Sequence, residues 1–357
     1  MVAFGAAGLT RSTTDLYGSS RSISNYRAFH LAEAAVDAVL TNMQVGRFDN
    51  LLIASMSNGN YWATVNPSGT LTYLINSHGL QGAEQRDLEV VVRVTPRSVF
   101  EFSLFGGEQL LVSGEAITDS YDSRLGAYDP NTPGSNGDIG TNAITPGGVS
   151  VSGSIAINGQ IAVGPQVPNP NSVVVISGGS VLITGQPPVI SQVTTMGMPP
   201  VTVPTGLSCT DLSVTGHTTM LLPSALGQHC FNNLSISGGA TLTADGPVKI
   251  YVTGTFTASG NTVIGIPSDP TAMVLLLVSN QQATIESSLT GSSEFYGGLY
   301  APSAIIEING NAQVFGSVIA RIVRVSGHAQ VHYDEALGQL VDPVGRYGTT
   351  LLSWREP

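Results

Sequence analysis

Lysine is almost missing from this chain. Lys249 stands alone against 24 acidic residues, and the formal net charge is −11. A nucleic-acid partner demands a basic face, so that class is excluded. Charged residues of all kinds make up 10% of 357, too few for long solvent-laced helices. Cysteine is scarce as well. Cys209 and Cys230 lie 21 residues apart and match neither CxxC nor a zinc pattern. Long hydrophobic runs are missing too. Residues 273–278 are a short apolar run that reads as a buried strand, and a bilayer span needs ~20 residues. Residues 1–9 are apolar and equally short. They read either as the tail of a hydrophobic helix whose beginning is absent or as a disordered start.

What is abundant is glycine, serine, threonine and β-branched residues in alternation, and residues 295–337 organise the rest. Phe295-Tyr296-Gly297-Gly298-Leu299-Tyr300-Ala301 aligns with Val314-Phe315-Gly316-Ser317-Val318-Ile319-Ala320, and then with Val331-His332-Tyr333. The offsets are 19 and 17 residues, about the length of one coil of a parallel β-solenoid. Alternation places one set of side chains inside, and Asn309-Gly310 and Ser326-Gly327 supply corners that tolerate positive φ. A single coil cannot bury its apolar face, so coils must stack. Aligning Leu212-Ser213-Val214 with Leu234-Ser235-Ile236 sets Cys209 nearly over Cys230. That placement predicts a disulfide, with two buried thiols as the alternative, and a disulfide would mean an oxidising compartment.

Residues 16–44 read as a helix with a modest stripe at Ala28, Leu31, Ala35, Ala38 and Val39, stopping at Gly46. From residue 11 to 45 an unbroken helix would span ~50 Å. A small antiparallel region follows. Residues 61–65 and 71–75 are strands joined by a turn at Asn66-Pro67-Ser68-Gly69. Residues 88–95 and 98–104 are further strands, and 109–113 is a fifth strand or the lead into the next region. Residues 117–145 read as a loop, alternation returns at 149, and the Pro-rich stretch 187–204 leaves the stack as a loop or wraps its edge.

Two chemical candidates follow. Asp119, Asp122, Asp129, Asn131 and Asp138 are hard oxygen donors and could hold a structural calcium, without EF-hand spacing. The alternative is a cluster of turns bonded to their own backbone. A solenoid can also carry a polysaccharide hydrolase or lyase. That chemistry gathers carboxylates in one groove, whereas Glu286, Glu294 and Glu307 are scattered. His328, His332, Asp334 and Glu335 are near one another in sequence and read as corner or cap residues. Tyr296, Tyr300, Phe315 and Tyr333 read as an interior or face stack more than as a sugar platform. No cofactor is implied otherwise.

The order of parts resembles the PilX-type minor pilins of type IV pilus assembly. Arg11-Ser12-Thr13, then Ala28-Phe29-His30-Leu31-Ala32-Glu33-Ala34-Ala35, is similar to that family's juxtamembrane helix. Asp119 to Ser123 with Asn136-Gly137-Asp138-Ile139-Gly140 resembles the start of its β-solenoid domain. Tyr300-Ala301-Pro302 and His332-Tyr333-Asp334-Glu335-Ala336-Leu337 resemble its closing coils. Pilins usually carry Glu at mature position five; here position 5 is Gly, as in a truncated product or a chain whose leader is lost through a misassigned start.

The fold expected is mainly β: a long N-terminal α-helix with a small antiparallel pilin-like sheet, followed by a parallel β-helix (β-solenoid). The divisions are 1–45 (truncated membrane or filament-core helix), 46–114 (sheet), 115–148 (Asp/Gly-rich loop), 149–337 (solenoid) and 338–357 (cap or tail). The resemblance implies a non-enzymatic structural or adhesive part of a type IV pilus-like filament, at the cell surface and held in the inner membrane before assembly. Phe4, Leu9, Leu16, Ile23, Ala28, Leu31, Ala35 and Val39 would meet other pilins. The solenoid would meet a surface or polysaccharide ligand. The other reading is a secreted β-helix that binds or cleaves polysaccharide.

Overall fold

The computed structural model describes residues 2–57, 59–278, 286–341 and 344–357, and side-chain surroundings from residue 19 onward. It is mainly β, with one N-terminal helix and an antiparallel sheet. The chain divides into two units, Met1–Pro96 with Gly345–Pro357, and Arg97–Val344. The expected boundary at 114 therefore falls at 96/97, and the expected C-terminal cap or tail belongs largely to the first unit.

In the first unit the helix Val2–Gln44 contains no proline to break it. It ends where Gly46 takes φ +73° and the N–H groups of Val45, Gly46 and Arg47 close the last turn. Ala28, Leu31, Ala32, Ala35, Val36, Val39 and Met43 form its buried face, at the three- and four-residue spacing of a helix. Their targets are Ala63, Val65, Ile75, Leu88, Val90, Val92 and Val94 of the sheet. Small residues let helix and strand come close: a Cβ at Gly79 would stand 2.0 Å from the Ala28 carbonyl oxygen. The exposed Arg21–Glu84 pair (2.9 Å) contributes about 0–1 kcal/mol. Each fully buried Leu, Val or Met contributes about 1.5–3 kcal/mol, so the apolar face holds the helix.

The sheet order is Leu51–Met56, Gly59–Gly69, Thr72–Gln81, Glu84–Pro96, Tyr347–Arg355. Three expectations are corrected. The turn expected at 66–69 is strand, with Pro67 opposite Tyr73, and the reversal comes at Gly69 to Thr72, where Leu71 takes φ +51°. Residues 98–103 are irregular: the Phe100 N–H donates to Ser98 Oγ (3.0 Å) and Ser98 Oγ to the Leu337 carbonyl oxygen (2.7 Å), so that N–H is turned away from any sheet neighbour. The place beside Glu84–Pro96 goes instead to Tyr347–Arg355, 250 residues later, with Leu351 opposite Val92.

The second unit is built of parallel pairs. We call the strands contributed by one passage of the chain a rung. The first rung is Leu104–Gly114 with Ile117–Tyr121. It sits in the middle of the stack. Leu110 pairs with Val149 on one side and with Val323 on the other. The chain thus starts at the centre, adds rungs outward to Val189–Ser191, and crosses back through residues 192–208. It then builds inward from Thr210–Val214 until Gln313–Val325 and Gln330–Asp334 meet the first rung. Rung order therefore departs from sequence order, and the stack begins at 104, not 149. Within the expected loop 115–148, Ile117–Tyr121 and Ile139–Thr141 are strands. Within the expected Pro-rich excursion, Val189–Ser191 pairs with Ile161–Val163.

A column of corner glycines records the order: Gly179, Gly153, Gly114, Gly327, Gly310, Gly291, Gly260, Gly238, Gly216, each at positive φ. The first arm's innermost corner, Gly114 (φ +88°), abuts the second arm's, since a Cβ there would meet the Gly327 oxygen at 2.4 Å. Inward residues fill the stack, including Leu110, Val151, Leu234, Phe256, Phe295 and Val323. A second core lies on the flank. The crossing segment places Met196 and Val201 there among Phe100, Phe105, Tyr300 and Leu337, and Tyr300 Oη donates to the Pro199 oxygen (2.7 Å).

Gly114→Ala adds a close contact to an unfavourable φ, whereas Gly216 (φ +66°) has nothing within 4 Å of its Cβ position. Gly114→Ala is therefore expected to destabilise by at least about 2 kcal/mol more than Gly216→Ala in urea unfolding followed by circular dichroism. Equal losses would contradict the docking of the two arms.

Candidate functional site

The meeting of first and last rungs carries the densest polar chemistry described. Parallel pairing sets His332 beside Asp119 and Asp334 beside Tyr121. It also continues the outward column Tyr296, Phe315, His332. Tyr296 stacks on Phe315 (centroids 4.5 Å, 6°), and Phe315 lies 5.0 Å from His332. Residues 122–138 then fold over the column. Tyr128 covers the imidazole at 3.9 Å and donates its hydroxyl to Asp119 Oδ2 (2.7 Å). His332 Nδ1–H donates to Asp119 Oδ1 (2.6 Å), and both side chains are buried. A paired carboxylate with two donors satisfies the rule for buried charge.

The same clasp continues outward. Ser120 Oγ and Asn136 Nδ2 both donate to Glu335 Oε1 (2.9 Å each). Asp334 Oδ1 accepts from the backbone N–H of Ser123 (3.0 Å) and Ala336 (3.1 Å), so it also caps a short 3-10 turn. Its Oδ2 has no hydrogen-bond partner among the described residues. Burial pushes this carboxyl above the ordinary range, opposed by the two N–H groups. Exposed pairs flank the seam, Glu108–Arg321 (2.8 Å) and Glu115–His328 (2.9 Å). These contribute little energy, and the backbone ladder and apolar rungs outweigh them.

The five expected calcium donors do not converge. Asp119 is committed to His332 and Tyr128. Asp122 is gripped by Arg124 (2.8 and 2.6 Å), whose hydrogen bonds hold it below the usual carboxylate range. Asp129 accepts from the N–H and side chain of Asn131, which lowers it too. Asp138 accepts from the Gln160 N–H (2.6 Å), yet burial raises it. Among the described residues no group of three or more His, Cys, Asp or Glu is placed to hold a metal. The loop's own N–H groups and the neighbouring imidazole have taken the oxygens. Asp119, listed by sequence as a loop donor, is a strand residue whose partner lies 213 positions away, and no local signal marks that pairing.

Cys209 and Cys230 are joined, Cα to Cα 4.5 Å. The bond ties the start of the outermost rung of the second arm to its neighbour, where Leu212 pairs with Leu234. On the helix, Ala28, Leu31, Ala35 and Val39 are buried in their own unit and so are not available to another subunit. Ile23, at 50% exposure, is available, as is Tyr26 at 65%, which sequence reasoning passed over. The side chains of Phe4, Leu9 and Leu16 lie outside the described residues. No helix among the described residues is long and apolar enough to cross a membrane.

Residues 231–340 match a family described as "Domain of unknown function (DUF7305)". No curated protein matches by sequence. Similar solved structures include three with these values. An ice binding protein from an Antarctic biological consortium has 13% identity over 67% of this chain and 91% of its own, with a TM-score of 0.37. The competence-associated pilin ComZ from Thermus thermophilus has 13% identity over 94% and 97%, TM-score 0.36. The DUF3494 domain of ice-binding protein 1 from Shewanella frigidimarina has 11% over 67% and 98%, TM-score 0.26.

Two outcomes test the site. A carboxyl whose folded value exceeds its unfolded one binds its proton first in the folded state. Its contribution is therefore present below the unfolded value, near pH 4, and is lost as pH rises through the folded one. Asp334→Asn keeps the Oδ1 acceptor but cannot ionise, so its melting temperature should fall less than the wild type's from about pH 4 to pH 7. Parallel curves would remove Asp334 from the account. Reduction of the disulfide should cost roughly 3 kcal/mol and release amide protection first in residues 210–222, leaving the seam at 104–121 protected in hydrogen exchange. Uniform loss would contradict a local role.

Proposed function

We propose that the chain is a non-enzymatic structural component of a type IV pilus-like surface filament, of the PilX-type minor pilin kind. The carrying observation is the division of labour along one helix. From Ala28 onward its apolar face is used up by the sheet, while residues 19–23 and Tyr26 are exposed. A helix exposing Ile23 and Tyr26 has apolar surface to offer another helix. The amino-terminal half is therefore the filament contact, and other pilins are its partners. The parallel stack reads as a β-solenoid head, rigid because its glycine corners and buried clasp leave little slack. It presents a weakly charged, net acidic surface outside the cell, where the disulfide fits an oxidising compartment. The seam supports a structural role rather than catalysis, since Asp119 and His332 are buried and both Asp119 oxygens are taken, by His332 Nδ1 and Tyr128 Oη.

The test is the double substitution Ile23→Glu and Tyr26→Glu, expressed with a pilus assembly system. Both sites are exposed, so the purified protein should melt like wild type. The amount recovered in sheared filaments should fall on the order of tenfold, the scale of losing an anchor residue at an interface. Unchanged recovery would overturn the filament reading.

A further inference from the structure

The stack has two outer faces, and among the described residues no further rung covers either. At the end of the first arm, Val174–Ser177, Val181–Ile183 and Val189–Ser191 pair only inward among the described residues, with Val149–Gly153, Ile155–Ile157 and Ile161–Val163. Ile176 occupies an inward position, opposite the fully buried Val151, yet is 52% exposed. It is exposed because no further rung among the described residues covers it. At the end of the second arm, Thr210–Val214 and Thr219–Leu222 likewise pair only inward. There Met220, in register with the buried Leu242, is 36% exposed.

Sheet edges are normally guarded by charge, by proline within the strand or by a covering element. No Asp, Glu, Lys, Arg or His occurs between Asp138 and Asp211, so the whole outer half of the first arm lacks a charged guard. Its prolines stand at corners, outside the three edge strands. On the other outer rung Asp211 is exposed, and its Oδ1 accepts from the N–H and Nδ2 of Asn233 on the neighbouring rung (3.0 Å each).

The occupant follows from continuity with a junction the molecule already contains. The two arms are not consecutive, yet the inner rung of one docks on the inner rung of the other by parallel pairing on both sides of one irregularity, between Ala320 and Ile322. Rungs of these arms therefore recognise one another although they are more than 200 positions apart in the chain. Their outer rungs share the same corner column, ending at Gly179 on one side and Gly216 on the other. One outer edge faces up the stack and the other down, so the free N–H and C=O groups of the two are complementary. We propose that the outer rung of the first arm takes the outer rung of the second arm of another copy, head to tail, extending the parallel sheet between molecules. The internal register carries over, with Val174, Val175 and Ile176 opposite the second copy's Leu212, Ser213 and Val214. Such a heterologous contact does not close on itself and grows linearly.

The test uses the full chain. Val175 and Ser213 both point outward in this register, and paired strands lie about 4.8 Å apart. The double variant Val175→Cys, Ser213→Cys should give a ladder of species beyond dimer on non-reducing gels after mild oxidation. Val175→Cys alone should stay monomeric, and mixing the two single variants should give dimers that stop there. Wild-type protein should show mass increasing with concentration in sedimentation velocity, and Ile176→Asp should abolish the increase. Dimers from Val175→Cys alone would mean a two-fold contact and overturn the head-to-tail arrangement. No ladder, together with a concentration-independent monomer, would overturn the contact altogether.

Discussion

Parallel pairing between residues 104–121 and 313–334 is the constraint on which the second unit depends. Until the last two rungs exist, the first has a neighbour on one side only. Leu104, Leu110 and Val112 reach full burial only once Val318, Val323 and Val325 close over them. The contact joins residues more than 200 positions apart, so its loop-closure cost falls on the chain before any of its stabilisation is gained. Three features make it worth forming. The glycine column lets backbones approach at Gly114 and Gly327, the apolar rungs bury surface, and the Asp119–His332–Tyr128 clasp fixes the register. The clasp alone would be a poor source of stability, because desolvating its polar groups offsets much of what their hydrogen bonds contribute. Its value is selective: a slip of one residue would bury Asp119 without His332.

How much of this could be read in advance depends on the range of the interaction. The rungs at 294–334 were legible because neighbours in space repeat one another in sequence, with offsets of 19 and 17 and a Gly at every corner. The helix was legible from its stripe, and so was the vertical alignment of Cys209 and Cys230. The central position of Leu104–Gly114 was not. Its partners on the two sides, Val149–Gly153 and Gln313–Val325, show no local spacing that ties them to it. The strand Tyr347–Arg355 was hidden for the same reason, since an edge strand is recruited by whatever open edge remains, here Glu84–Pro96.

The candidate site failed in a more instructive way. Five oxygen donors within 20 residues look like a metal loop when only the loop is considered. In the fold, Asp119 belongs to a strand and is spoken for by His332, and Arg124 and the loop's own N–H groups claim others. The residues that matter beside Asp119 are an imidazole from 213 positions away and a tyrosine of the loop itself, Tyr128. Sequence had marked His332 as a corner residue, a role that local pattern can suggest but whose partner it cannot supply. On the helix the error ran the other way. Ala28, Leu31, Ala35 and Val39 do form an apolar stripe, but a stripe says only that something covers it. The sheet of the same unit does.

These observations separate two kinds of unsatisfied surface. An apolar stripe on a helix accepts any complementary apolar face, so exposed positions such as Ile23 and Tyr26 would set the affinity for a partner more than its identity. An open rung demands more, because each backbone N–H and C=O must find its counterpart at one spacing and in one direction. A partner that meets it must be a parallel strand of matching corner geometry, and this chain's own opposite end has that geometry by construction. The absence of charge from Ile139 to Thr210 has the same bearing. Were the outer rung meant to stand alone in water, inward-pointing charge or strand proline would be the ordinary guard, and the segment has neither, while the rest of the chain carries all of its acidic residues elsewhere.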